Sequence, residues 1–115
     1  MLSQDFDKGL AAAQRVDFAT ALREWTPLAE QGDAGAQLNL GRMYKKGDGV
    51  TQDYRTALKW YRLAAEQGIL DAQTNLGAMY DNGQGVTKDH KVAVKWFRLA
   101  AASATSLRGS RPVII

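Results

Sequence analysis

Residues 36–44 read AQLNLGRMY, and residues 72–80 read AQTNLGAMY. The second segment follows the first after 36 residues, and the two differ only at their third and seventh positions. A repeat period of this length is typical of helical solenoids, in which each unit buries its apolar face against its neighbours. The sequence therefore predicts an array of stacked, similar units.

The repetition continues beyond these nine residues. The loop sequence GDGVTQD at 47–53 returns as GQGVTKD at 83–89, and ALKWYRLAA at 57–65 returns as AVKWFRLAA at 93–101. Apolar residues in the segments on both sides of each loop recur at helical spacing. Each unit is therefore predicted to be a pair of antiparallel helices joined by a glycine-containing loop.

Helix start and stop signals divide the chain into six predicted helices. Aspartates stand where helices begin, as at Asp17, Asp33 and Asp53, while Gly32 and Gly68 stand where helices end. Ser3 and Asp5 are alternative caps for the first helix, and Pro27 predicts a kink in the second. Gly41 and its counterpart Gly77 predict close approach of two helix backbones. The predicted helices span about 3–15, 17–31, 34–46, 54–67, 70–82 and 90–104.

These elements predict an all-α fold, an α/α superhelix of about three antiparallel helix pairs. The repeat domain occupies residues 1–104, with a degenerate first repeat at about 3–32 and full repeats at about 34–68 and 70–104. Residues 105–115 are predicted to form a flexible C-terminal tail. An alternative is that Val113 to Ile115 docks on the exposed face of the last helix.

The composition excludes several classes of function. The 115-residue chain has a net charge of +3, with Lys and Arg interspersed among Asp and Glu, so we expect no nucleic-acid binding. No apolar run approaches the ~20 residues of a membrane span, and no membrane insertion is expected. There is no cysteine, so there is neither a disulfide framework nor a thiolate metal site. The N-terminus carries no export signal, but removal of a signal peptide would leave the same sequence. Cytoplasmic and periplasmic or secreted locations therefore both stay open.

The repeated pattern Ala-Gln-x-Asn-Leu-Gly-x-Met-Tyr, followed by the glycine loop and Ala-x-Lys-Trp, resembles the Sel1-like repeat. That repeat is a variant of the tetratricopeptide repeat with a longer loop. The resemblance is strong over residues 34–101 and extends to about 5–101 with the degenerate unit. It implies a superhelix that acts as an adaptor or scaffold, holding a peptide or protein surface in its concave groove, and bacterial members are common.

The resemblance also implies where a partner would bind. The first helix of each pair lines the groove, and the asparagines of this pattern occupy the position that often holds a peptide backbone or carboxylate in tetratricopeptide repeats. Side-chain amides suit that role because they both donate and accept hydrogen bonds. The alternative is that Asn39 and Asn75 form hydrogen bonds within or between repeats. The candidate peptide-binding residues are Asn39, Arg42, Lys46, Asn75 and Asn82.

No catalytic, cofactor or metal site is predicted. His90 is the only histidine, and the Gly-x-Gly loops follow helices rather than strands. Some proteins with this repeat have been described as β-lactamases, so a β-lactamase-like or cell-wall-related hydrolase is one alternative function. No serine is followed by a lysine three residues later, which argues against it. A second alternative is an assembly element that forms a homodimer through its uncapped C-terminal repeat.

Overall fold

The computed structural model describes the backbone of residues 5–14 and 17–114, and the side chains of residues 5–13 and 17–104. The described chain is all α-helical, as predicted, and each helix packs against the next one along the sequence. The helices are α1 (Phe6–Gln14), α2 (Phe18–Glu30), α3 (Ala34–Lys46), α4 (Tyr54–Glu66), α5 (Leu70–Asn82) and α6 (His90–Ile114). We refer to the helix pairs α1–α2, α3–α4 and α5–α6 as the first, second and third repeats.

The capping residues identified in the sequence set most helix boundaries. The Asp33 carboxylate accepts a hydrogen bond from the Ala36 amide at 2.9 Å, and the Asp53 carboxylate accepts one from the Arg55 amide at 3.0 Å. Asp5 caps α1, because its carboxylate accepts from the Asp7 amide at 2.9 Å. Ser3, the alternative cap, lies outside the described residues.

Two glycines end the helices α2 and α4 in the same way. Gly32 and Gly68 have φ angles of 103° and 91°, a left-handed conformation that residues with a Cβ adopt at a cost. The amide of the residue after each glycine donates back to a carbonyl of the last turn, Asp33 N to Leu28 O at 3.0 Å and Ile69 N to Ala64 O at 3.2 Å. This pattern is the Schellman motif, and it turns the chain into the next repeat.

Helix α2 continues through Pro27 as one element. Proline has no amide hydrogen, so the hydrogen bond that would reach the carbonyl four residues earlier is absent. The neighbouring Thr26 hydroxyl donates to the Leu22 carbonyl at 2.7 Å. The kink predicted here stays a prediction.

The loops of the second and third repeats share their backbone hydrogen bonds. The Asp53 amide donates to the Tyr44 carbonyl at 2.9 Å, and the Asp89 amide donates to the Tyr80 carbonyl at the same distance. The second glycine of each loop lies against the start of the preceding repeat's second helix. A Cβ on Gly85 would stand 2.6 Å from the carbonyl carbon of Tyr54. Glycine is therefore required there for the repeats to stack.

Aromatic side chains of the second helices pack on the glycines inside the first helices. A Cβ on Gly41 would lie 3.0 Å from the Tyr61 ring, and a Cβ on Gly77 would lie 2.7 Å from the Phe97 ring. The sequence predicted a close approach at these glycines, but the predicted contact between two helix backbones was wrong. The close neighbour is an aromatic ring, and the small residue makes room for that ring within each helix pair.

Buried glutamines connect each repeat to the next one. Gln37 Nε2 donates to the Ala29 carbonyl at 3.1 Å, and Gln73 Nε2 donates to the Ala65 carbonyl at 3.2 Å. In the second repeat the Gln37 oxygen also accepts from Gln67 Nε2 at 2.9 Å. The position 36 residues after Gln67 is Ser103, and the buried oxygen of Gln73 has no partner among the described residues. The third repeat therefore lacks one buried hydrogen bond that the second repeat has.

Helix α6 is longer than the sequence predicted. It has 25 residues against 13 in α4, and its backbone continues to Ile114 instead of ending near residue 104. The cause is a missing stop signal, because the chain has Ala102-Ser103-Ala104 where the second repeat has Glu66-Gln67-Gly68. The predicted separate tail at 105–115 is thus helical as far as Ile114. The predicted flexibility and docking of its side chains lie outside the described residues.

Candidate functional site

Polar side chains connect α3 and α5, the first helices of the second and third repeats. Arg42 Nη2 donates to Asp71 Oδ2 at 3.1 Å, and Lys45 Nζ donates to Asn75 Oδ1 at 3.3 Å. Both contacts cross from the second repeat to the third. They arise because Arg42 and Lys45 lie on one face of α3, three residues apart, and face the first turns of α5.

Both asparagines of the repeated pattern take part in this network. Asn39 Oδ1 accepts from Arg42 Nη1 at 3.3 Å, and Asn75 Nδ2 donates to the Asp71 carbonyl at 2.8 Å. The hydrogen bonds proposed as the alternative role of the asparagines are therefore present. We call the residues of this network, with Lys46 and Asn82 at the ends of α3 and α5, the first-helix surface. Its members are Asn39, Arg42, Lys45, Lys46, Asp71, Asn75 and Asn82.

The structure brings three of the five predicted residues into contact with the network, namely Asn39, Arg42 and Asn75. The side chains of Lys46 and Asn82 are exposed and make no hydrogen bond with the other described residues. Asp71 was not among the predicted site residues. Its counterpart in the second repeat is Gly35, so the repeat pattern contains no signal for an acidic residue at this position.

The network is open to solvent. The side chains of Arg42 and Asp71 are 44% and 64% exposed. Exposed ion pairs of this kind contribute little to stability, about 0–1 kcal/mol, so their groups exchange partners at low cost. Beneath the network, burial raises the pKa of Tyr61 to about 12, and the nearby positive charge of Arg42 opposes this rise. Tyr61 therefore stays a neutral phenol that packs in the core.

The surface offers amide donors and acceptors, two lysines and one arginine within two adjacent helices. These groups match the hydrogen-bonding edge of an extended peptide and the charge of a carboxylate.

Across the described residues no group of three or more His, Asp and Glu side chains stands close enough to bind a metal ion. His90 Nδ1 instead pairs with Asp81 Oδ1 at the solvent-exposed start of α6. No helix in the described ranges is both long and apolar enough to cross a membrane.

Residues 34–69 and 70–104 each match the sequence model of the Sel1 repeat. These two matches cover more than half of the chain, and the chain belongs to the Sel1 repeat family. The two matches begin at the first residues of α3 and α5. No protein of curated function matches the sequence.

Solved structures of bacterial repeat proteins share this fold. A Sel1 repeat protein from Oxalobacter formigenes is 36% identical with a TM-score of 0.81, over 85% of this chain and 40% of that one. The protective antigen c5321 of uropathogenic Escherichia coli, which displays an SLR fold, is 40% identical with a TM-score of 0.78, over 86% of this chain and 23% of that one. Cysteine-rich protein B of Helicobacter pylori is 29% identical with a TM-score of 0.59, over 78% of this chain and 61% of that one.

This chain therefore spans less than half the length of the first two of these proteins. It also contains no cysteine, in contrast to the cysteine-rich relative. Glycine–aromatic contacts hold each helix pair together, and buried glutamines and apolar side chains connect one pair to the next. Helical repeat modules of this family generally take part in protein interactions.

Proposed function

We propose that this protein is an adaptor or scaffold module that binds a peptide or protein through the first-helix surface. The observation that carries the proposal is the polar network across α3 and α5. It places two side-chain amides and a guanidinium on adjacent helices, with much of each charged group open to solvent.

The existing hydrogen bonds are compatible with this role. The contacts of Asn39 and Lys45 are 3.3 Å long, at the weak end for such bonds. A peptide that supplies backbone carbonyls and amides replaces these bonds with equivalent ones, so little hydrogen-bond energy is lost on binding. A partner carboxylate beside Arg42 and Lys46 adds charge-assisted hydrogen bonds.

We further propose that the module is not catalytic. A serine acyl-transfer enzyme needs an activated nucleophile, and none of the four serines has a lysine three residues later. The hydrolase alternative is tested by incubating the purified protein with nitrocefin. Sustained turnover above the buffer rate would contradict the non-catalytic proposal.

The binding proposal is tested by affinity capture from a lysate of the source organism. The bait is the wild-type chain or an Asn39→Ala, Arg42→Ala, Asn75→Ala triple variant, and we expect the variant to lose at least one partner that the wild type captures. Each lost contact to a charged group accounts for about 1.5–3 kcal/mol, so the combined loss exceeds tenfold in affinity.

The matched control is an Arg55→Ala, Glu66→Ala, Lys95→Ala variant, which removes three exposed charged side chains of the second helices α4 and α6. Circular dichroism at 222 nm must show the same helicity for both variants. The proposal fails if every captured partner is retained equally by both variants.

A further inference from the structure

The second helices α4 and α6 carry the same stripe of exposed basic side chains. In α4 the exposed cations fall at positions i, i+4 and i+7, which lie on one face of a helix. The same three positions are basic and exposed in α6, 36 residues later, and an exposed leucine follows the last cation in each helix. We call these residues the second-helix stripe. Its members are Arg55, Lys59, Arg62, Leu63, Lys91, Lys95, Arg98 and Leu99.

The exposure of this stripe does not depend on the number of repeats. Helix α4 has a repeat packed on both sides, and its stripe is nevertheless open to solvent. The third repeat covers a different face of α4, where Leu58 and Tyr61 are 8% and 1% exposed. A further repeat after α6 would cover their counterparts Val94 and Phe97 and leave the stripe of α6 open in the same way.

Few carboxylates neutralise the charge of the stripe. None of its six cations forms an ion pair with a described residue. Asp53 and Asp89 are engaged as caps, because each accepts hydrogen bonds from the first turn of its helix. Helix α6 contains no acidic residue, Glu66 lies at the end of α4, and Glu30 of α2 lines a surface hollow with Lys59. The two helices therefore present an excess of positive charge.

The leucines add an apolar component to this surface. Leu63 and Leu99 are 36% and 46% exposed, and each directly follows an arginine. A single exposed leucine is ordinary on a protein surface, but here the same leucine stands beside the same cations in two repeats. The side chains of the stripe make no hydrogen bonds with one another within the described residues, so they form a mixed basic and apolar surface without fixed internal contacts.

A surface of this composition matches the interface of an anionic bilayer. Lys and Arg side chains contact lipid headgroups there, while aliphatic side chains enter the boundary of the acyl chains. A fluid headgroup layer also requires no fixed arrangement of the cations. A nucleic-acid backbone would use the cations and leave the leucines in water, because its contacts with the protein are made by phosphates.

We propose that the second-helix stripe binds the surface of an anionic lipid bilayer, with its six cations in the headgroup layer and its two leucines at the edge of the acyl layer. This attachment is peripheral and needs no helix that crosses the membrane. The stripe lies on different helices from the first-helix surface, so the proposal holds or fails independently of the partner binding proposed there.

The test measures co-sedimentation of the full chain with sucrose-loaded vesicles. One set of vesicles contains phosphatidylcholine alone, and the other contains equal parts of phosphatidylcholine and phosphatidylglycerol. Each basic residue near an anionic surface contributes about fivefold in affinity, so we expect the anionic vesicles to bind at least about twentyfold more tightly at low ionic strength. High salt is expected to reduce this difference because it screens the charges.

Three protein variants identify the surface. Lys59→Glu, Lys95→Glu is expected to weaken binding to the anionic vesicles at least about twentyfold. The matched control is Lys8→Glu, Lys46→Glu, which makes the same change of net charge on the first helices α1 and α3 and is expected to stay within about threefold of the wild type. Leu99→Gln keeps the net charge and is expected to weaken binding about three- to tenfold, because an aliphatic side chain no longer enters the bilayer.

Circular dichroism at 222 nm must show the same helicity for all variants, and the comparison of the two vesicle types with the wild type requires no variant. Equal binding to neutral and anionic vesicles, no binding to either, or equal losses in the two double variants would overturn the proposal. Unchanged affinity of Leu99→Gln, with polyglutamate displacing the vesicles, would overturn it as well, because the stripe would then bind polyanions in general.

Discussion

Replacing Gly85 with alanine tests the stacking of one repeat on the next. Gly85 has a φ of 72°, and a Cβ there would lie 2.6 Å from the carbonyl carbon and oxygen of Tyr54 in the preceding repeat. The left-handed conformation costs an L-residue about 1–2 kcal/mol. Displacing backbone atoms to admit the methyl group costs about 1–3 kcal/mol more. The reduced freedom of the unfolded chain offsets about 0.4–1 kcal/mol.

Gly68→Ala is the matched control for this substitution. Gly68 has a φ of 91°, and a Cβ there would meet no atom within 4 Å. The conformational and unfolded-state contributions are therefore shared by the two variants, and only the clash differs. We expect Gly85→Ala to lower the free energy of unfolding by about 1–3 kcal/mol more than Gly68→Ala does.

Urea unfolding followed by circular dichroism at 222 nm measures both variants. Helical repeat arrays can unfold in steps, so the transitions must be compared with tryptophan fluorescence as a second probe. Equal destabilisation by the two substitutions would show that the loop of the third repeat is not packed tightly against the start of α4.

Three other predictions concern single side chains. Ser103→Gln restores the donor that the buried oxygen of Gln73 lacks, and we expect a gain of about 1 kcal/mol in urea unfolding; a loss of stability would contradict this. Hydrogen bonds from Thr56 hold the pKa of Asp53 below its usual value, so the stability that this carboxylate provides at neutral pH is lost as the pH falls through its folded-state pKa. Asp53→Asn is expected to flatten the acid limb of the stability–pH curve. An unchanged limb would contradict the lowered pKa of Asp53. Arg42→Ala removes an exposed ion pair to Asp71 and is expected to change the free energy of unfolding by less than about 1 kcal/mol. Its effect on binding is then measured in a folded protein. A larger loss in urea unfolding would show that Arg42 has a structural role.

The sequence predicted those features of the fold that depend on local signals. The bounds of α3 and α5 agree with the prediction to the residue, because an extended residue precedes each helix and a left-handed glycine follows it. Asp33 and Asp53 cap helices as their residue type favours. The 36-residue period predicted which units stack, since each repeated apolar stripe must be covered by a neighbour.

Other features depend on neighbours that are distant in the sequence. Arg42 and Asp71 are 29 residues apart, and Asp71 replaces a glycine of the repeat, so no local pattern predicts their contact. The aromatic ring against Gly41 comes from position 61, and only the packed structure shows that a ring rather than a backbone fills the space. The extra length of α6 was not predicted. The chain has no glycine stop signal at position 104, and the sequence analysis predicted a flexible tail there instead of a continued helix.

Site-specific photo-crosslinking shows whether partners bind the first-helix surface. A photoreactive phenylalanine analogue is introduced at Asn39 or Asn75 and, as a control, at the exposed Glu66 at the end of α4. We expect irradiation in a lysate of the source organism to link a partner protein to positions 39 and 75 but not to position 66. Crosslinks at position 66 alone, with none at 39 or 75, would contradict it and place partner binding on the second helices.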